Sequence, residues 1–247
     1  MVTGRPEYSG SFLDKIVEGL LVLLPPAALL GPWAGSGRVF GYRILVVLLV
    51  GCAVTGWIYP IWVRRFSRAA CAIVVVAVAW AVTGVVGAMR LGPRRDLSSL
   101  MGAGLALAGA WSVARLISDR HIRRERALRD VAIGWAVAVW VGAPLAVWEI
   151  LTARHLGTYA DGAWRNHPGL YRQPATWLTN PNLYAVFLAV GSVWVGVVGV
   201  RSATRWVRIA AIATAVTGLG LLLATDSRIV YAALLLAVMV RLWAVRR

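Results

Sequence analysis

An all-α fold, a polytopic integral membrane bundle of about eight transmembrane helices with both termini cytoplasmic, is the class that this sequence predicts. Three observations predict it. The chain is 60% hydrophobic with mean hydropathy +0.71, carrying more apolar surface than a single soluble core of 247 residues buries. Its apolar runs reach the ~20 residues that a helix needs to cross a bilayer. Its arginines gather in short clusters between those runs, which is how helix orientation in a membrane is encoded.

Taken in order, the apolar segments fall at about 16–30, 39–58, 70–89, 100–117, 131–150, 183–200, 207–224 and 229–245. The first is interrupted by Pro25-Pro26, which removes backbone donors in mid-run, and ends at Gly31-Pro32, so a kink or partial insertion is expected there. Met1 to Lys15 is polar and no small-residue cleavage pattern follows, so no cleavable signal peptide is expected. Trp33, Trp57, Trp62, Trp148, Trp206 and Trp243 lie near segment ends, where an amphipathic ring suits the membrane interface. Arg115 and Arg241 lie near cytoplasmic ends of their segments and can extend to the headgroups.

Charge sets the orientation. Arg64, Arg65 and Arg68, the group from Arg120 to Arg129, then Arg201, Arg205 and Arg208, and finally Arg246-Arg247, all follow even-numbered segments and mark those loops as cytoplasmic. Arg90, Arg94 and Arg95 run against this bias, offset in part by Asp96. In a soluble chain, the formal net charge of +16 would suggest nucleic acid. Spread over short loops it reads as membrane orientation, and no nucleic-acid partner is expected. Cys52 and Cys71 lie in apolar segments without metal-ligand spacing, so they read as packing residues and no metal is expected. The whole chain, 1–247, reads as one membrane domain: N-terminal helices over 1–146, then a segment 147–247 that carries the single long loop, 151–182, on the outer side.

That loop holds Arg154, His155, Asp161, Arg165, His167 and Arg172 and enters the sixth segment through Thr179-Asn180-Pro181-Asn182. Asn180 is suited to cap the helix and Pro181 to its first turn, where a missing N–H costs nothing. The last segment opens on Thr225-Asp226-Ser227-Arg228. An arginine in the first turn of a helix opposes the local dipole and calls for an anion, either Asp226 beside it or a bound phosphate or diphosphate, whose geometry fits the guanidinium fork. Glu149 sits at the outer end of the fifth segment, an ionisable group at the membrane edge, and is a functional candidate by position or a partner for Arg154 or Arg172. Trp164, Tyr171 and Trp177 offer rings on which a sugar could stack or which pack the loop onto the membrane. Imidazole is competent for proton transfer, but as loop residues neither His155 nor His167 is assigned that role.

At these residues the chain resembles the bacterial O-antigen ligase and O-antigen polymerase family of membrane glycosyltransferases. The resemblance rests on Arg172 followed by Asn180-Pro181-Asn182-Leu183-Tyr184-Ala185, and on Leu221-Leu222-Leu223-Ala224-Thr225-Asp226-Ser227-Arg228 at the next outward-facing turn, in the family's order. It covers about 147–245, and the earlier segments agree only as apolar helices. It implies transfer or polymerisation of glycan from a polyprenyl-diphosphate-linked donor to a glycan or lipid acceptor. The implied location is the outer face of the bacterial inner membrane, with membrane lipids as surroundings and no cofactor or essential metal. Arg172 and Arg228 would then be the catalytic pair, binding the diphosphate and stabilising its departing charge. Asn180, Asn182, Ser227, Glu149 and Trp177 would shape the substrate site.

Family members continue into further helices and a second outer loop bearing a histidine proposed as base, whereas this sequence stops at Arg247. Neither His155 nor His167 matches that histidine. The expectation is therefore a short form, or one half of a split enzyme whose second membrane subunit supplies the rest. The alternatives are a non-catalytic subunit that binds or translocates polyprenyl-linked glycan, and an inactive fragment.

Overall fold

The computed structural model describes residues 12–30, 35–36, 39–58, 104, 107–113, 124–155, 172–178 and 181–245. Among these the chain is helical apart from short turns and a two-residue antiparallel pairing of β1 (Gly35–Ser36) with β2 (Val39–Phe40). The helices are α1 (Phe12–Leu30), α2 (Gly41–Ile58), α3 (Arg124–Thr152), α4 (Pro181–Gly199), α5 (Arg205–Ala224) and α6 (Arg228–Val245). The expected segment at 70–89 lies outside the described residues, as does most of 100–117, of which 107–113 are helical. Among the described residues, three stretches are long and apolar enough to cross a membrane: Glu125–Thr152, Pro181–Gly199 and Arg205–Ala224.

Helix α1 contains Pro25 and Pro26 within its span. One difference from the sequence expectation has a simple cause. Helix α3 begins at Arg124, about two turns before the apolar run, because Arg, Glu, Ala and Leu are good helix formers whether or not they enter a membrane. Apolarity reports the apolar part of a helix and not a polar extension of it.

The chain divides into two compact units. The first comprises Met1–Leu24 and Gly41–Asp130; the second comprises Pro25–Phe40 and Val131–Arg247. In the first, α2 packs its Val46 against Gly109, where an added Cβ would come within 3.1 Å of Val46 Cγ2. The buried Ser112 of that same short helix donates its hydroxyl to Ala108 O at 2.7 Å, so its polar group costs nothing in an apolar setting.

The second unit is built on the α4–α5 hairpin. A Cβ at Gly199 would collide with the Cβ of Ala211, and one at Gly218 with the hydroxyl of Ser192, so the two backbones approach as closely as small residues permit. Lipid is as apolar as leucine, so such close contact, and not exclusion from water, holds membrane helices together. Helix α3 joins through Trp135, whose ring lies 4.5 Å from that of Phe187, and through Trp140, whose Nε1 donates to Thr214 Oγ1 at 2.9 Å. Leu29, Val139, Ala143, Tyr184, Leu188 and Leu222 form its core. On α4 a second apolar stripe, Leu183, Val186, Val190, Val193 and Val197, faces outward and exposed. A helix apolar on both faces suits a membrane setting.

Candidate functional site

One end of the second unit gathers the C-terminus of α3, the turn 172–178, the start of α4 and the α5–α6 turn. Helix α3 stops because Ala153 adopts a left-handed conformation (φ 54°) and donates its N–H to Glu149 O at 2.9 Å, a left-handed cap without the usual glycine. The reversal returns His155 to the last turn of α3, with Nδ1 at 3.3 Å from Glu149 Oε1.

Glu149 is 0% exposed. Its Oε2 accepts two hydrogen bonds, from the backbone N–H groups of Ala175 and Thr176, each 2.8 Å long. A carboxylate inside apolar surroundings needs such donors, because an unpartnered buried charge costs several kcal/mol (roughly, per ion). Among the described residues Glu149 pairs with His155 and these two N–H groups, and not with Arg154 or Arg172, the partners open to it from sequence. Arg154 and Arg172 are both exposed.

The turn held by Glu149 is strained. Thr176 has φ 53°, a region that a β-branched residue rarely enters, and its Oγ1 is buried without a partner. Such a conformation costs on the order of 1 to 3 kcal/mol and persists only where its surroundings enforce it. Here two hydrogen bonds to a buried carboxylate do so. Trp177 and Leu178, which follow, are partly buried against the core, so in this structure Trp177 packs the turn onto the helices. Trp164, Tyr171 and His167 lie outside the described residues.

Pro181 is the first residue of α4, as its fixed φ and missing N–H favour. Asn180 lies outside the described residues, and Asn182 is exposed in the first turn. At the facing turn, α5 ends at Ala224 and Thr225 caps it, its Oγ1 donating to Leu222 O at 2.7 Å. Asp226 takes φ 50°, which short polar side chains tolerate. Ser227 opens α6, its carbonyl accepting from the N–H groups of Val230 and Tyr231. The Tyr231 hydroxyl reaches back to Leu222 O and Leu223 O, at 3.1 and 2.9 Å, and ties α6 to the end of α5.

The two motif-bearing helix starts meet here. Ser227, 2% exposed, donates its hydroxyl to Asn182 Oδ1 at 2.8 Å, across 45 positions of sequence. Two helix N-termini, each a source of partial positive charge, are thereby fixed side by side. Arg228 stands exposed at the first position of α6 and Arg172 stands exposed on the turn that Glu149 holds. Among the described residues, Asp226 and Arg228 make no ion pair with each other. Exposed cations beside helix N-termini attract anions, phosphates above all, and here the exposed Asp226 offsets part of that charge at α6. Around them Leu151, Leu223 and Ile229 are 77%, 69% and 80% exposed, so an apolar rim adjoins the basic end.

The Asn182–Ser227 bond joins residues that the sequence had singled out separately. The roles of Thr176, Tyr231 and the Glu149–His155 pair were not visible there, since no spacing rule links a helix-end carboxylate to a loop backbone 26 positions on. Comparison with family models, with curated proteins and with solved structures finds no match to the chain.

Proposed function

We propose that this chain is a membrane glycosyltransferase of the O-antigen ligase and polymerase type. It spans the bacterial inner membrane about eight times with both termini cytoplasmic, and it acts on polyprenyl-diphosphate-linked glycan at the extracytoplasmic face. The observation that carries this reading is the Ser227–Asn182 hydrogen bond, which brings the two signature helix starts to one end of one unit. The apolar rim supports it further, because a ligand with a diphosphate head and a long hydrocarbon tail needs a basic site and an apolar surface side by side.

In this reaction an acceptor hydroxyl attacks the anomeric carbon of the donor sugar. The bond from that carbon to the diphosphate oxygen breaks, the electron pair leaves with the polyprenyl diphosphate, and the proton of the acceptor hydroxyl passes to water. Arg172 and Arg228 hold the diphosphate and meet the charge that grows on it, aided by the N-termini of α4 and α6. Asn182 and Ser227 fix the two termini relative to each other.

The test is glycan transfer from a polyprenyl-diphosphate donor in reconstituted membranes. Arg172→Lys and Arg228→Lys keep the charge but lose the planar fork, and each is expected to slow turnover by about 30- to 1,000-fold, or roughly 2 to 4 kcal/mol in the barrier. Full activity in both variants removes them as the diphosphate clamp. No transfer by the wild type, with donor binding intact, favours a non-catalytic glycan-binding subunit instead.

A further inference from the structure

We infer that Glu149 is a positioning residue: its buried carboxylate holds the 172–178 turn in a strained conformation that presents Arg172 to the anionic ligand. The inference rests on the diphosphate-binding reading above. It assigns Glu149 neither proton transfer nor a direct ligand contact.

Three features support it. The carboxylate is fully buried, which separates it from any ligand at the exposed arginines. Its Oε2 is spent on two consecutive N–H groups, Ala175 and Thr176, that begin three positions after Arg172. Thr176 itself sits in the left-handed region with an unpartnered buried hydroxyl, so the turn left alone would relax into another conformation. The reversed Ala153 closes the α3 end of the same linkage, where His155 Nδ1 lies 3.3 Å from the other carboxylate oxygen.

Removing the carboxylate withdraws two hydrogen bonds and frees the Thr176 strain, so the binding-competent turn becomes a minor conformer. Apparent affinity then falls by the fraction of molecules still competent. With each bond and the strain contributing as such features usually do, that fraction is on the order of one in 30 to one in 300. Glutamine keeps an oxygen where the two N–H groups point, so it preserves the turn. Glycine at 176 takes the left-handed conformation without penalty and removes the buried hydroxyl, so it restores part of the population without any carboxylate.

The experiment measures binding of polyprenyl diphosphate to the full chain in lipid nanodiscs for wild type, Glu149→Ala, Glu149→Gln, Thr176→Gly and the Glu149→Ala/Thr176→Gly double variant. The expected result is a ~30-fold or greater loss in Glu149→Ala, at most about 5-fold in Glu149→Gln, little change in Thr176→Gly, and recovery of about 10-fold in the double variant. If Glu149→Ala does not fold, Glu149→Gln against wild type decides the matter: a loss of at most about 5-fold sustains the positioning role and a larger one overturns it. A loss in Glu149→Gln as large as that in Glu149→Ala overturns the positioning role, because it points to the charge itself. So does wild-type affinity in Glu149→Ala, or a double variant no better than Glu149→Ala. Absence of binding by the wild type overturns the diphosphate reading instead.

Discussion

Asn182→Ala and Ser227→Ala, alone and together, measure how firmly the two helix starts are joined. The Ser227 hydroxyl is buried and donates to Asn182 Oδ1 at 2.8 Å, so Asn182→Ala leaves a buried donor without its acceptor, at a cost of about 1 to 2 kcal/mol. Ser227→Ala removes the donor itself and costs roughly 0.5 to 1 kcal/mol. The double variant leaves nothing unpaired, so its loss is smaller than the sum. The interaction energy expected is about 0.6 to 1.5 kcal/mol, the range for hydrogen bonds between membrane helices. Asn182 makes other contacts as well. They cancel in the cycle, which is why the cycle is the right measurement. Unfolding free energies of the four proteins in mixed micelles supply it. An interaction energy within about 0.3 kcal/mol of zero would show that the two starts are not coupled, and the geometric basis for a shared anion site would be lost.

Three further outcomes are expected. Gly199→Ala forces its Cβ against that of Ala211 and destabilises the α4–α5 hairpin by about 1 to 3 kcal/mol, while adding Ala211→Gly restores most of it; unfolding in micelles checks both. Ala153→Gly relieves the left-handed cap of α3 and raises stability by about 0.5 to 1 kcal/mol, and a lower melting temperature would contradict the cap. In a chain lacking Cys52 and Cys71, cysteine at the exposed Arg154 reacts with a membrane-impermeant thiol reagent on intact cells and cysteine at the exposed Arg126 does not; the reverse pattern would invert the topology.

Much of the helical organisation was legible because a membrane helix needs a long apolar run, and such runs are visible without knowing what they pack against. Pro181 marked the start of α4 through the same first-turn preference that water-soluble helices show, and the polar break Thr225-Asp226-Ser227-Arg228 between two apolar runs marked the start of α6. What the runs concealed was length beyond the apolar part, as at Arg124, and which face of each helix turns inward. Gly199 and Gly218 became informative only once Ala211 and Ser192 stood opposite them. At the site, residue types pointed to Arg172, Asn182, Ser227 and Arg228, and the contact between Asn182 and Ser227 agrees with grouping those two. Glu149 stood out in the sequence as a lone acid at a membrane edge, but its partners proved to be backbone N–H groups. Backbone donors carry no sequence signature. The left-handed Ala153 and Thr176 were illegible for a related reason: neither residue type favours that conformation, and only the surrounding contacts impose it.

The most direct measurement is the affinity of the wild-type chain in lipid nanodiscs for polyprenyl diphosphate against polyprenyl monophosphate, repeated with Arg172→Lys and Arg228→Lys. Two guanidinium forks on one diphosphate predict tighter binding of the diphosphate by the wild type, and a loss of about 10- to 100-fold in each lysine variant that narrows the preference. Equal affinity for the two lipids, unchanged in both variants, would contradict a diphosphate site at the paired helix starts.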